Sequence, residues 1–169
     1  MPRRERENTL PSFAAALAAG AQGIELDAHA TADGVVVVHH DAATGDGVEI
    51  ARALWSDLSP SRRRSGATEI PTLASVCDLV AERAELFVEI KGEGIEEAVD
   101  DAVGLLAEYG ARDAWPHRSL IDQPLVERIQ RSGGRVIAWT VNSASEARRL
   151  AGYGIDGICT DDVTLLDAL

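Results

Sequence analysis

The sequence has few cysteines, more acidic than basic residues and no hydrophobic run long enough to cross a bilayer. Two cysteines are too few for a disulfide framework, and Cys77 and Cys159 lie in helix-like and strand-like patterns, so we predict buried thiols in a reducing compartment. The formal net charge of -12 argues against nucleic acid or an anionic membrane as a major partner. The most apolar early stretch, Phe13 to Ala21, follows no signal-peptide n-region. We therefore expect a cytoplasmic protein without a transmembrane segment.

The 169 residues, of which 46% are hydrophobic and 26% charged, predict a single soluble domain spanning residues 1–169. Strand-like and helix-like patterns alternate along the chain, which is typical of a parallel sheet covered by helices. Helices are predicted to begin at Thr9, Thr72, Asp122 and Ser143, the last with a capping box to Glu146. A further helix is predicted from the spacing of Ile95, Val99, Val103 and Leu106.

Strand-like stretches at residues 23–27, 35–41 and 86–91 each contain acidic residues or histidine at their ends. Because side chains alternate along a strand, Glu25 and Asp27 share one face, as do Glu89 and Lys91. In parallel α/β folds, chemistry takes place at the carboxyl edge of the sheet. Three carboxylates there predict a hard divalent cation bound by oxygen ligands and facing a phosphate.

A series of segments resembles, in order, motifs of the glycerophosphodiester phosphodiesterase family, which folds as a (β/α)8 barrel. The segments are Glu7-Asn8-Thr9-Leu10, Glu25-Leu26-Asp27 with Thr31-Ala32-Asp33-Gly34, His40-Asp41, Ile70-Pro71-Thr72-Leu73, Glu89-Ile90-Lys91, Trp139-Thr140-Val141-Asn142, and Asp156-Gly157-Ile158 with Thr160-Asp161. Each segment alone is a weak signal, but together they cover nearly the whole chain in the family's order.

The resemblance implies a metal-dependent hydrolase that converts small glycerophosphodiesters to an alcohol and glycerol 3-phosphate. It implies the following roles: Glu25, Asp27 and Glu89 as ligands of Mg2+ or Ca2+, His40 as a catalytic acid/base, Lys91 as a phosphate-binding residue and Trp139 as a wall of the substrate pocket. It also implies that the neighbouring glycerol hydroxyl attacks first and that water then opens the cyclic phosphate.

Simpler interpretations stay open for several of these residues. Glu25 and Asp27 also fit a solvated strand face, Lys91 a charge partner of a carboxylate, and Trp139 a core residue. His39 faces away from His40 in a strand and is expected to be structural. His29 and His117 lie outside the motifs and are expected at the surface, although the spacing of His29 from Asp27 also allows it to face the site.

Two parts of the family pattern have no counterpart in the sequence. No His-Arg-Gly motif precedes Glu7, and Trp139 follows Lys91 by only 48 positions, with room for at most one short strand near Ser119 to Ile121. We therefore expect an incomplete (β/α)8 TIM-type barrel with about six strands instead of eight. Its open edges leave self-association as one option. The missing histidine predicts that this chain has little or no hydrolytic activity on glycerophosphodiesters, and it leaves two alternatives: an inactive metal-binding pseudoenzyme or gene remnant, and a related phospholipid head-group phosphodiesterase.

Overall fold

The strands form one sheet in the computed structural model, which describes residues 5–58, 69–91, 104, 113–162 and 164–165. Its order is β2-β1-β3-β4-β5-β6, and every neighbouring pair is parallel except β1 with β2. The strands are β1 (Gly23–Ala30), β2 (Val36–Val38), β3 (Glu85–Ile90), β4 (Asp113–Pro116), β5 (Arg135–Ala138) and β6 (Gly157–Ile158). The predicted incomplete barrel of about six strands is thus confirmed.

Helices follow most of the parallel strands. They are α1 (Leu10–Ala18), α2 (Trp55–Leu58), α3 (Leu73–Val80), α4 (Gln123–Arg131) and α5 (Ala144–Gly152), with single 3-10 turns at Ile50–Arg52 and Ala81–Arg83. The predicted starts of α1, α3, α4 and α5 are confirmed, because the side chains of Thr9, Thr72, Asp122 and Ser143 each accept a hydrogen bond from a backbone N–H in the first turn. The helix predicted from Ile95 to Leu106 lies outside the described residues.

The capping box predicted for α5 is only half formed. Ser143 accepts a hydrogen bond from the backbone N–H of Glu146, as expected. The Glu146 carboxylate instead forms an ion pair with Arg118 at 3.1 Å. The guanidinium competes for the carboxylate because a charge-assisted contact is stronger than a bond to a neutral N–H.

The two faces of the sheet have different characters. Leu26, Val88 and Val136 are fully buried on one face, where they pack against α1, α3, α4 and α5 in the main hydrophobic core. Side chains alternate along each strand, so Asp27 and Glu89 lie on the opposite face. The alternation therefore separates a hydrophobic core from a polar face. Among the described residues, no helix is both long enough and apolar enough to traverse a bilayer.

The predicted strand at residues 35–41 is shorter than expected and runs in the opposite direction. Only Val36–Val38 are extended, and they pair antiparallel with β1 through a tight turn at Gly34, whose φ is +81°. The chain therefore returns beside β1, and the His39 N–H donates to the Asp27 carbonyl at 2.9 Å. The histidines reach the carboxyl edge through this hairpin, rather than at the end of a parallel strand.

Two smaller expectations are wrong. The single short strand for which the sequence left room near Ser119 to Ile121 is not there; β4 instead spans Asp113–Pro116, a short segment whose acidic residue and proline weaken the pattern of a strand. Cys77 is buried as predicted, but Cys159 is exposed, because it follows a two-residue strand at the edge of the sheet.

Candidate metal and phosphate site

The carboxylates of Glu25, Asp27 and Glu89 converge at the carboxyl edge of the sheet. The register of β1 and β3 places Asp27 directly beside Glu89, and Glu25 lies two residues earlier on the same face. Oxygen atoms from the three side chains lie within 4.8 Å of one another. Asp27 is buried, whereas Glu25 is exposed and Glu89 is partly buried.

This donor set fits a divalent metal ion. Hard cations such as Mg2+ and Ca2+ prefer oxygen ligands at about 2.0 to 2.6 Å, so two oxygens on opposite sides of an ion lie about 4 to 5 Å apart. The observed spread of 4.8 Å is within the reach of one ion. Although Glu25 as a whole is exposed, desolvation by the surrounding protein, followed by repulsion from Asp27 and Glu89, raises the pKa of its carboxyl, and burial also raises the pKa of Glu89. A bound cation would relieve both effects.

Asn8 positions the buried ligand Asp27. Its side-chain amide donates to Asp27 Oδ2 at 2.7 Å, and its carbonyl oxygen accepts the Asp27 backbone N–H at 3.2 Å. Asn8 adopts a left-handed backbone conformation with φ of 56°, which asparagine tolerates better than most residues. The sequence placed Asn8 within a motif but did not indicate this contact, because the two residues are 19 positions apart.

Lys91 links the carboxylates to the aromatic part of the site. Its Nζ lies 2.8 Å from Asp27 Oδ1, 3.1 Å from Glu89 Oε1 and 5.6 Å from the centre of the Trp139 ring. Burial lowers the pKa of Lys91, but the hydrogen bonds to Asp27 and Glu89 outweigh it and raise the pKa above its usual value. The side chain therefore remains an ammonium beside the carboxylates of Asp27 and Glu89.

His40 interacts electrostatically with the charged groups of the site. The imidazole of His40 is 58% exposed and lies 2.9 Å from Asp41, and this hydrogen bond raises its pKa. The charge on His40 interacts with Glu25, Glu89 and Lys91. His39 turns its Nδ1 to the Asp41 carbonyl at 2.9 Å. The alternation of side chains along a strand does not orient His39 and His40, because β2 ends at Val38.

The expectation of a surface position is wrong for His29 and holds only in part for His117. His29 is only 5% exposed and its Nε2 lies 3.4 Å from the His40 carbonyl oxygen, so the returning chain covers it. His117 is partly buried, and its ring packs edge-on against Trp139 with 5.1 Å between centroids. The alternation of Asp113, Trp115 and His117 is the signal that could have identified His117, because it repeats that of Phe87, Glu89 and Lys91 on β3.

Trp139 lies across the site from the carboxylates. Its indole Nε1 donates to the Trp115 carbonyl oxygen at 2.8 Å, which fixes the ring. Trp139 is partly buried and lies between Lys91 and His117, so it is not a plain core residue. The structure therefore brings together all the residues that the sequence identified: Glu25, Asp27, Glu89, Lys91 and Trp139, with His40 at the exposed rim.

A parallel α/β sheet with three carboxylates and a lysine at its carboxyl edge is typical of one class of protein, the hydrolases of phosphate esters. Comparison with known proteins identifies the family. The sequence model of the Glycerophosphoryl diester phosphodiesterase family matches residues 1–108 and 93–165, and the chain belongs to this family. The family and the relatives described below indicate a phosphodiesterase hydrolase.

The relatives cover most of the chain at low identity. A glycerophosphodiester phosphodiesterase of Caldanaerobacter subterraneus subsp. tengcongensis is 29% identical over 217 positions, which cover 92% of this chain and 88% of the relative. A phosphodiesterase of Oleispira antarctica, solved with the product sn-glycerol-3-phosphate, is 22% identical with a TM-score of 0.54, over 96% of this chain and 90% of that one. The glycerophosphoryl diester phosphodiesterase domain of a Mycobacterium tuberculosis protein is 16% identical with a TM-score of 0.56, over 98% and 94% of the two chains.

The comparison also supports the internal gap inferred from the sequence. The alignment to the Caldanaerobacter relative has 217 positions, whereas this chain has 169 residues, so at least 48 positions of the relative have no counterpart here. The two matches to the family model overlap at residues 93–108, between Lys91 and β4. The shortened distance between Lys91 and Trp139 is consistent with this overlap.

Proposed function

We propose that the chain is a metal-dependent phosphodiesterase that hydrolyses small glycerophosphodiesters to an alcohol and glycerol 3-phosphate. The observation that carries this proposal is the convergence of Glu25, Asp27 and Glu89 within 4.8 Å beside the Lys91 ammonium. Membership of the family supports the reaction class. The product found in the Oleispira antarctica structure supports glycerol 3-phosphate as the product here.

In this proposal, Glu25, Asp27 and Glu89 hold Mg2+ or Ca2+, and Asn8 keeps Asp27 in place. The cation, when bound, would polarise a phosphate oxygen and lower the pKa of the attacking group. Lys91 binds a second phosphate oxygen through its ammonium.

His40 transfers the proton in the same proposal. The hydrogen bond that the His40 ring donates to the Asp41 carboxylate raises the pKa of His40 and so favours the imidazolium form. The neighbouring glycerol hydroxyl forms a bond to phosphorus and loses its proton to solvent, while the bond between phosphorus and the leaving oxygen breaks. The His40 imidazolium gives its proton to that leaving oxygen, which departs as a neutral alcohol. Water then opens the cyclic phosphate, its oxygen bonding to phosphorus and one of its protons passing to the released glycerol oxygen. The exposed position of His40 at the rim allows head groups of different size to leave.

Trp139 forms the wall of the site opposite the carboxylates. The bond from its Nε1 to Trp115 and the packing of His117 against its edge hold the ring in one orientation. A fixed aromatic wall excludes water and limits the positions that a glycerol group can adopt beside Lys91.

The test is an assay of the purified 169-residue chain with glycerophosphocholine, in which the release of glycerol 3-phosphate is measured with Mg2+, with Ca2+ and with a chelator. Because one of the two catalytic histidines has no counterpart, we expect slow, metal-dependent release, with a further loss of about 100-fold or more in Asp27→Asn and Glu89→Gln. Glu85→Gln is the matched control, because Glu85 lies on the same strand and face as Glu89 but at its opposite end. Equal release with chelator present, or equal loss in the control, would contradict the proposal.

The rival function is metal binding without turnover. The observation in its favour is that His40 is the one residue of these 169 that matches a catalytic histidine of the family's motifs. Binding of Ca2+ or Mg2+ that depends on Asp27, with no glycerol 3-phosphate released, would establish it. Release of head groups from phospholipid vesicles, but not from glycerophosphodiesters, would indicate the related head-group activity.

A further inference from the structure

On the β4 side of the site, polar contacts join Arg118, His117 and Ser119 in a chain. His117 follows β4 and forms a bridge with Trp139 of the neighbouring segment, on the same face as Lys91. The Trp139 ring centre lies 5.1 Å from the His117 ring centre and 5.6 Å from Lys91 Nζ. His117 and Lys91 thus approach the same indole from neighbouring strands.

The hydrogen bonds of His117 determine which of its nitrogens carries the proton. Arg118 Nη1 lies 3.2 Å from His117 Nε2, and a guanidinium can only donate, so Nε2 must accept. A neutral imidazole accepts at one nitrogen only, which means that Nδ1 carries the hydrogen and donates to Ser119 Oγ at 2.7 Å. The Ser119 backbone N–H also points to Nδ1, at 3.4 Å, but this contact is much longer than the 2.7 Å contact of Nδ1 with Ser119 Oγ and is the weaker of the two.

The guanidinium that sets this arrangement is itself fixed. Arg118 Nε lies 3.1 Å from the Glu146 carboxylate of α5, and its Nη1 donates to the Thr140 carbonyl at 3.0 Å. Burial, followed by the neighbouring charge of Arg118, lowers the pKa of His117, so the ring is neutral at neutral pH. His117 is therefore suited to orient a neighbour rather than to supply a proton.

We propose that Ser119 is a phosphate-contacting residue of this site and that His117 is its positioning residue. Because Ser119 Oγ accepts the bond from His117, its own hydroxyl hydrogen is left as a donor. A negatively charged group is the favoured acceptor, because the charge of Arg118 polarises the whole chain from Arg118 through His117 to Ser119. A phosphoryl group bound to Lys91, which directly follows β3, would have further oxygens that could accept from the Ser119 hydroxyl in the loop after β4.

This inference rests on the proposed function and names the second contact of its phosphate. Lys91 contributes a charge from the carboxylate side, and Ser119 contributes a directed hydroxyl from the loop after β4. Two donors on neighbouring strands would hold the phosphoryl group in one orientation, whereas a single ammonium leaves it free to rotate.

The experiment measures the affinity for sn-glycerol 3-phosphate in the presence of Mg2+ by calorimetry, and KM and kcat for glycerophosphocholine. We expect Ser119→Ala and His117→Ala each to weaken binding by about 10-fold, mostly through KM. His117→Asn is expected to stay within about 3-fold of the unmodified chain, because the asparagine amide can donate from the position of Nδ1 but cannot transfer a proton. Ser132→Ala, at the far end of α4, is the control and should bind normally.

The double variant His117→Ala with Ser119→Ala should bind no more weakly than Ser119→Ala alone, since both changes remove one contact. Normal binding by Ser119→Ala would overturn the inference and leave the proposed function intact. A His117→Asn variant as weak as His117→Ala would overturn the positioning role. If the unmodified chain binds no glycerol 3-phosphate and releases none, the proposed function fails as well. Circular dichroism of each variant checks that the fold is retained.

Discussion

Replacement of Asn8 by alanine tests how much Asn8 contributes to holding the buried carboxylate of Asp27. The change removes the 2.7 Å hydrogen bond to Asp27 Oδ2 and the 3.2 Å hydrogen bond from the Asp27 N–H. Asp27 is only 6% exposed, so water has little access to replace the two lost hydrogen bonds. A hydrogen bond to a charged group contributes about 1.5 to 3 kcal/mol and a neutral one about 0.5 to 1.5 kcal/mol. Alanine in the left-handed conformation of Asn8 costs about 1 kcal/mol more.

The expected loss in the free energy of unfolding is therefore about 3 to 5 kcal/mol, measured by urea denaturation in a chelating buffer so that metal binding does not contribute. Asn8→Gly isolates the backbone part, because glycine adopts a positive φ without the steric cost; it should recover about 1 kcal/mol relative to alanine.

Asn142→Ala provides a matched comparison. Asn142 makes the same pair of bonds, donating to Asp161 Oδ2 at 2.8 Å and accepting the Asp161 N–H at 3.0 Å, but at an exposed position. We expect a loss of about 1 kcal/mol or less there, since water replaces the lost partners. If Asn8→Ala lost no more stability than Asn142→Ala, the assignment of Asn8 as the support of a buried ligand would be refuted.

Three further predictions concern Lys91, His40 and the core. Lys91→Met should weaken the binding of glycerol 3-phosphate by about 10-fold or more. It should not weaken the binding of Mg2+, because the ammonium contacts the proposed metal ligands Asp27 and Glu89 and its removal leaves their oxygens to the cation. A parallel loss of Mg2+ affinity in calorimetry would contradict this. In an NMR titration the pKa of His40 should lie above the usual histidine value and fall in Asp41→Asn, because the Asp41 carboxylate favours the imidazolium; turnover that uses this proton should decline as the pH rises through the pKa of His40. Leu26→Ala opens a cavity at a fully buried position and should lower the free energy of unfolding by about 3 kcal/mol. Leu54→Ala, at a position 48% exposed, should lower it by less than about 1 kcal/mol. Equal losses in urea denaturation would show that the core is misplaced.

The local patterns of the sequence predicted the helix starts and the three carboxylates well. A cap such as Thr9 or Asp122 acts on its own first turn, so a few neighbouring residues contain the necessary information. The shared face of Glu25 and Asp27 depends only on strand alternation. Their meeting with Glu89 required the additional assumption of a parallel sheet, which the register of β1 and β3 bears out.

The features that could not be predicted from the sequence depend on contacts between distant segments of the chain. The direction of β2 is set by a turn of a few residues at Gly34, and a strand-like pattern is the same in either direction. His117 acquires its place from the pairing of β4 with β3 and of its own segment with Trp139, neither of which is visible in the short segment Asp113–Pro116. The contact of Glu146 with Arg118 likewise joins a helix start to a distant loop.

The combination of three carboxylates with one ammonium has a consequence for the direction of catalysis. Glu25, Asp27 and Glu89 with Lys91 carry a formal sum of two negative charges, which one divalent cation neutralises. In the proposed complex, the phosphodiester would add one negative charge and the imidazolium form of His40 would compensate for it, so that the formal charges would sum to zero. After the leaving alcohol has taken that proton and water has opened the cyclic phosphate, the phosphate monoester would approach two negative charges above pH about 6. The site would then hold an excess of negative charge, and electrostatic repulsion would favour release of the product over its return to the diester.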